Sequence, residues 1–209
     1  MPPEGFPKFL KQAIHVGSIM KDPTSFLDSI RPLICSARRL VWIDAYFDPT
    51  PSSEERVDPC SDPTSRSPNA QNIWLKSFKK LAQELREQKR TIIDIDIHAK
   101  TPEHRNSEEF AKDSVAELTG WAPETTNIRF CAWTEKSKGQ RFHARYILTD
   151  KGGVGLEYGT DMRMNQRTDV SLLSPEVWQN RMDEFNPESG VDSPYDLKYL
   201  LTAKGTRTT

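Results

Sequence analysis

Strand-like and helix-like segments alternate along the first part of the chain, and this order restricts the fold more than any other sequence feature. Mostly apolar runs at 39–47, 91–97 and 127–133 are typical of strands in a sheet. Between them, residues 72–85 and 106–119 place apolar side chains at helical spacing. This order is typical of α/β proteins, in which helices pack against a central sheet.

Later segments add strands that follow one another as in hairpins. Residues 142–149, 154–158 and 168–173 have strand-like patterns, and a Lys-Gly-Gly turn joins the first two. Ser174 and Pro175 open a final helix, because proline fits the first helical position. We therefore predict an α/β fold in which a mixed β-sheet is sandwiched by helices on both faces.

These patterns divide the chain into three parts. Residues 1–24 are expected to form an N-terminal arm, and a capping-box pattern at Ser25 opens the first helix. Residues 25–185 form the domain. Within it, residues 48–71 are rich in Pro, Ser, Asp and Arg and lack periodicity, which indicates a long insertion. Residues 186–209 are expected to be a polar C-terminal tail.

Composition and charge exclude several classes of protein. Lys plus Arg total 29 and Asp plus Glu total 30, which argues against a protein that coats nucleic acid by charge alone. Three cysteines without metal-type spacing fit a reducing compartment. Neither a signal peptide nor a membrane span is visible. We expect a cytoplasmic protein without a metal or another cofactor.

The residues with the clearest chemistry surround one predicted strand. His143 and Arg145 begin it, Asp150 follows it, and Gly159 and Thr160 form a turn after the next strand. An imidazole can attack or protonate a phosphodiester, a guanidinium can bind phosphate oxygens, and a carboxylate can orient the imidazole. The pattern indicates a site that handles phosphodiesters, centred on His143.

The motif and the order of the elements together resemble the phospholipase D-like superfamily over residues 25–185. The family signature is His-x-Lys-x4-Asp followed by Gly-Ser/Thr-x-Asn. The resemblance implies a phospholipase D-like fold and a metal-independent phosphodiesterase, in which two motifs meet across a twofold axis. One histidine attacks phosphorus and the other protonates the leaving group. Because this chain has one clear motif, a homodimer would have to supply His143 twice.

The resemblance assigns roles to further residues. Arg145 occupies the position of the phosphate-binding lysine, Asp150 that of the aspartate, and Thr160 that of the hydroxyl that contacts phosphate. The asparagine position falls on Met162, which cannot bind phosphate oxygens. Asp161, Arg163 and Asn165 are the nearby candidates for part of that role, and Arg141, just before the motif, is placed to guide a phosphate ligand.

Three functions remain open because Arg145 replaces the family's lysine. We expect a nuclease first, since compact single-motif members of the family are often nucleases. The phospholipase D-like domain at the C-terminus of certain MIT-domain proteins has a similar His-x-Arg pattern and is associated with phospholipid binding. A non-catalytic module that binds phosphate groups of lipid or nucleic acid is therefore the second possibility. A dimerising subunit of a larger complex is the third.

Several polar residues elsewhere invite a functional role. His98 and Lys100 repeat the His-x-Lys spacing, and a supporting phosphate contact from either is expected. Tyr46 follows the first strand of the alternating region, where it either lines a ligand pocket or packs in the core. Asp96 alternates with isoleucines and is expected on a solvated face of its strand.

Overall fold

A computed structural model of the 209-residue chain describes residues 17–35, 37–50, 73–87, 92–158, 166–188 and 193–206. These residues form one sheet of eight strands and four helices. The strands are β1 (Gly17–Met20), β2 (Arg39–Asp44), β3 (Asp94–Lys100), β4 (Asn127–Glu135), β5 (Arg145–Thr149), β6 (Gly152–Leu156), β7 (Arg167–Leu172) and β8 (Tyr195–Lys204). The helices are α1 (Pro23–Ile34), α2 (Ile73–Glu87), α3 (Ser107–Thr119) and α4 (Pro175–Glu184).

The sheet is mixed, as the sequence predicts. Its strand order is β1-β7-β6-β5-β2-β3-β4-β8. Strands β2, β3 and β4 are parallel, and all other neighbouring strands pair antiparallel. Because β5 runs against β2, the first residues of β5 lie at the same edge of the sheet as the last residues of β2 and β3. We call this edge the carboxyl edge.

Helices cover both faces of the sheet, and each face buries its own apolar core. In β2, Leu40 and Trp42 belong to the cluster that contains the buried residues of α1, α2 and α3. The alternate residues Val41 and Ile43 belong to the cluster that packs against α4 and Phe185. Successive strand residues point to opposite faces, so an apolar run such as β2 is required wherever both faces are covered.

Short side chains set the starts of the helices. Asn106 caps α3 by accepting from the amide of Glu108 at 2.8 Å, and Ser174 caps α4 by accepting from the amide of Val177 at 3.2 Å. Both starts confirm the sequence prediction. The start predicted at Ser25 is wrong, because Asp22 caps α1 instead and its carboxylate accepts from the Ser25 amide at 2.9 Å.

Both ends of the described chain contribute edge strands, which corrects two predicted boundaries. Strand β1 lies in the predicted arm 1–24 and pairs with β7. Strand β8 lies in the predicted tail 186–209 and pairs with β4. The tail prediction failed because the outward positions of β8 are polar apart from Leu200, while Tyr199, Leu201 and Ala203 pack partly buried on the core.

Two further expectations concern the long insertion and a membrane span. Of the insertion predicted at 48–71, residues 48–50 are described and the rest lies outside the described residues. None of the four described helices is long and apolar enough to cross a bilayer.

Candidate functional site

The candidate site lies at the carboxyl edge, where β2 ends and β5 begins. Asp44, the last residue of β2, pairs with Arg145, the first residue of β5. The buried Asp44 carboxylate accepts from the Tyr46 amide at 3.0 Å and turns the chain after β2. This turn brings the Tyr46 hydroxyl oxygen to 2.8 Å from Nδ1 of His143. The imidazole is therefore held through Nδ1, and Nε2 is the nitrogen available to a ligand.

Arg145 packs on the same tyrosine ring. Its guanidinium carbon lies 5.2 Å from the centroid of the Tyr46 ring. Its Nη1 donates to the backbone carbonyl of Glu157 at 2.8 Å. A guanidinium carries five N–H donors, so stacking and one hydrogen bond fix it in place and still leave donors for an anion.

Arg145 also borders two neighbouring cavities. The smaller cavity, of about 390 Å³, is lined by His143, Arg145, Asp169 and Ser171 among others, and we call it the motif pocket. The larger cavity, of about 760 Å³, lies over the ends of β2 and β3 and is lined by Tyr46 and Arg145 among others. We call it the large cleft. The structure thus brings His143, Arg145 and Asp169 together beside a larger binding volume.

Asp150 does not orient His143, and that part of the sequence prediction is wrong. The two residues flank opposite ends of the five-residue strand β5, which is roughly 17 Å of extended chain. Asp150 instead accepts from the Arg38 amide at 3.1 Å and lies 3.1 Å from the Lys151 ammonium. Burial would raise the pKa of Asp150, but these two contacts outweigh it and lower that pKa. Tyr46 makes the contact expected of the carboxylate.

Other predicted site residues differ in how the structure places them. Thr160, Asp161, Arg163 and Asn165, together with Met162, lie outside the described residues. The side chain of Arg141 is exposed. The Arg141 carbonyl accepts from the His143 amide at 3.1 Å and faces the Tyr195 hydroxyl at 3.5 Å. These bonds fix the backbone that leads into His143.

Lys100 lies at the carboxyl edge and lines the large cleft. Its ammonium contacts Glu135 at 3.0 Å, and the same carboxylate accepts from the Phe142 amide at 2.9 Å. The Phe142 hydrogen bond, followed by that of Lys100, lowers the pKa of Glu135. Glu135 therefore ties the end of β3 to the segment that carries His143. The expected contact between Lys100 and phosphate stays a prediction.

His98 cannot contact a phosphate ligand, because it is 0% exposed in the core under α4. Its Nδ1 accepts from the indole nitrogen of Trp133 at 3.0 Å, so its single proton lies on Nε2, which has no hydrogen-bond partner among the described residues. Burial lowers the pKa of His98 to about 3, although the charge of Asp96 opposes this shift. The imidazole is a neutral component of the core.

Asp96 is buried rather than solvated, which corrects its predicted place. Its carboxylate accepts from Arg39 Nε at 2.7 Å and from Arg129 at 2.9 and 2.7 Å. Burial would raise its pKa, but the two guanidinium groups outweigh that effect and lower it. Paired in this way, Asp96 supports the sheet and does not contribute to the site.

Sequence reasoning left the role of Tyr46 open, and the structure places it in the site. Its side chain is 46% exposed, borders the large cleft and contacts both His143 and Arg145. The signal in the sequence is its position two residues after a buried strand, since ligands bind beyond the carboxyl ends of such strands.

Neither the comparison with protein-family models nor the comparison with curated proteins gives a match. Among the described residues, no three His, Cys, Asp or Glu side chains are grouped so that they could hold a metal ion. What the fold and the site define is an α/β protein with one mixed sheet, whose carboxyl edge carries a histidine, a tyrosine and an arginine in contact beside two cavities.

Proposed function

We propose that this protein is a phospholipase D-like phosphodiesterase, specifically a metal-independent nuclease, that acts through His143 of two subunits. The observation that carries the proposal is the 2.8 Å contact between the Tyr46 hydroxyl and His143 Nδ1, with Arg145 stacked on the same ring. The described order of strands and helices agrees with the order on which the resemblance rests.

The geometry suits nucleophilic attack by His143. If Nδ1 carries the proton and is the donor in the hydrogen bond to the Tyr46 oxygen, Nε2 has a free lone pair that can form a bond to phosphorus. The bond from phosphorus to the leaving oxygen breaks, and that oxygen takes a proton from the partner subunit's His143. Water then attacks phosphorus and gives a proton back to the partner subunit's His143. The N–P bond breaks, which regenerates His143, while Arg145 binds the non-bridging oxygens.

Arg145 favours a second candidate function, a module that binds phosphate without cleaving it. Its guanidinium is fixed by the Glu157 carbonyl and by the Tyr46 ring. A guanidinium binds phosphate well but is bulkier than an ammonium, so binding survives this replacement more easily than catalysis. The bound phosphate would belong to a lipid headgroup or a nucleic acid.

Hydrolysis of bis(p-nitrophenyl) phosphate in the presence of EDTA tests the proposal. We expect release of p-nitrophenolate by a species that sediments as a dimer. Binding of a phosphodiester without any turnover would favour the binding module instead. Turnover by a strict monomer would contradict the shared site.

Replacement of Arg145 by lysine is expected to raise turnover by about tenfold, which corresponds to about 1.4 kcal/mol of barrier. An ammonium is more compact and can approach the phosphate beside the imidazole more closely. Steady-state hydrolysis of bis(p-nitrophenyl) phosphate measures the effect. Arg167→Lys, on the exposed part of β7, is the matched control and should leave turnover unchanged. Equal turnover in Arg145→Lys and wild type would show that the arginine does not limit the chemistry.

Replacement of Tyr46 by phenylalanine is expected to lower kcat by about fivefold and to change KM little, because one hydrogen bond of about 1 kcal/mol is lost. The ring that supports Arg145 stays in place. The nitrogen NMR chemical shifts of the His143 imidazole should also change, because the balance of its tautomers changes when Nδ1 loses the Tyr46 hydroxyl as a hydrogen-bond partner. Tyr199→Phe, on β8, is the control. Unaltered imidazole shifts together with unaltered kcat would show that Tyr46 does not position the His143 imidazole.

A further inference from the structure

We propose that the large cleft binds one unstacked base of a single-stranded nucleic acid, while the neighbouring phosphodiester occupies the motif pocket. This inference rests on the proposed function and narrows its substrate to single strands. Four features support single-strand binding: the aromatic side chains of the cleft, its charges, its size, and the position of Arg145 between the two cavities.

Exposed aromatic rings are concentrated at the cleft. Among the described residues, the exposed large hydrophobic side chains are Met20, Tyr46, Ile93, Tyr158, Val177 and Leu200. Only Tyr46 and Tyr158 among them are aromatic, and both line the large cleft, together with the partly buried Trp74. Aromatic faces of this kind stack on nucleic-acid bases, and the contribution is about 1–3 kcal/mol per base.

The backbone of Tyr158 is held firmly, although its ring is open to solvent. Its amide donates to the Thr168 hydroxyl at 3.0 Å, and its carbonyl accepts from the buried Lys21 ammonium at 3.1 Å. The residue as a whole is 56% exposed. A ring on a fixed backbone loses little conformational entropy when a ligand stacks on it, so Tyr158 is suited to binding.

The described cationic and anionic side chains around the cleft are equal in number, which suits the binding of an uncharged base better than that of a duplex. Among the described residues, the charged ones that line the cleft are Lys21, Lys100, Arg145, Asp44, Asp48 and Glu103, and His104 is also present. Three are cationic and three are anionic. Lys100 faces Glu135 at 3.0 Å and Asp48 faces Arg105 at 3.8 Å. Duplex binding relies on many cations that neutralise phosphates, whereas an uncharged base needs apolar surface and hydrogen bonds.

Size and position agree with this occupant. A volume of about 760 Å³ lies within the usual range of about 300–1,000 Å³ for small-ligand sites. Arg145 lines both cavities, so a phosphate that it binds would lie between the large cleft and His143. A duplex keeps its bases stacked and cannot place one in a cleft without first extruding it, which costs a few kcal/mol.

Binding of fluorescent oligonucleotides of about twelve nucleotides, a length within the range bound by one single-strand site, tests the inference. The full chain carrying His143→Ala is used so that the probes stay intact. Anisotropy titrations compare single-stranded DNA, single-stranded RNA of the same sequence, the blunt DNA duplex, and phosphatidylserine–phosphatidylcholine vesicles as competitors. We expect either single strand to bind at least about tenfold more tightly than the duplex, with no effect of the vesicles.

Tyr158→Leu should weaken single-strand binding by about tenfold, because leucine keeps apolar bulk and lacks an aromatic face. Tyr158→Phe should bind as tightly as the parent, and Tyr199→Leu is the control away from the cleft. Equal or tighter duplex binding, competition by vesicles, or indifference to Tyr158→Leu would overturn the inference. These results are independent of bis(p-nitrophenyl) phosphate hydrolysis, whose absence would count against the proposed function alone.

Discussion

Replacement of His143 by alanine is expected to lower phosphodiester hydrolysis by at least about a thousandfold, because it removes the imidazole that we propose as the nucleophile. The side chain is exposed, and its described contact is with Tyr46, so the fold should persist. Initial rates with bis(p-nitrophenyl) phosphate measure the loss, and thermal unfolding checks that the variant is folded. Turnover within tenfold of wild type would rule out His143 as the nucleophile.

The same variant tests whether two subunits share one site. Differently tagged wild-type and His143→Ala chains are co-expressed at several ratios, and the activity of the pooled dimers is measured. If each site needs His143 from both subunits, activity should fall with the square of the wild-type fraction. A linear fall would mean that each subunit works alone, with its general acid coming from its own chain.

Acidification is expected to destabilise the fold through His98 by about 3 kcal/mol between pH 7 and pH 4.5. The pKa of His98 is about 3 in the folded protein, below the ordinary value of 6.5 that the unfolded chain has. The unfolded chain therefore binds the proton first as pH falls. Stability is complete above pH 6.5 and is lost progressively as pH falls towards 3. Protonation would also place a hydrogen on Nδ1 of His98, so that two N–H donors, of His98 and Trp133, would face each other.

Urea unfolding of wild type and His98→Gln at the two pH values isolates this contribution. The glutamine oxygen can accept from Trp133, and glutamine does not titrate. Between the two pH values, the free energy of unfolding of the variant should therefore fall by about 3 kcal/mol less than that of wild type. Carboxylates such as Asp96, whose pKa is also lowered, lose their contribution only at lower pH. Equal pH dependence in both proteins would contradict the buried neutral imidazole. If His98→Gln does not fold, the ring proton shifts of His98 in the wild type should stay constant down to pH 4.5.

The order of elements from α1 to α4 could be predicted from the sequence because local patterns determine it. The apolar run of β2 and the caps Asn106 and Ser174 depend on residues within a few positions of one another. The start of α1 was misplaced because two capping signals compete there, and Asp22 next to a proline prevails over Ser25.

The composition of the site was less predictable because it depends on pairing between distant segments. His143 and Arg145 carry a motif, but Tyr46 is 97 residues away from His143 along the chain. Only the pairing of β2 with β5 makes them neighbours. Asp150 was assigned to the imidazole by spacing alone, and an extended strand carries it to the opposite end of β5.

Strands β5 and β2 are the fourth and fifth of eight across the sheet, so the site lies on its midline. On one side of this midline all pairings are antiparallel, and on the other the sheet continues with two parallel pairings and ends in the antiparallel pairing of β4 with β8. His143 belongs to the first half and Tyr46 to the second. A shear or a change of twist between the halves would alter the distance between the two side chains, and it would also repack the cores, because each core contains residues of both β2 and β5. The imidazole is therefore a natural reporter of how the two halves of the molecule are joined.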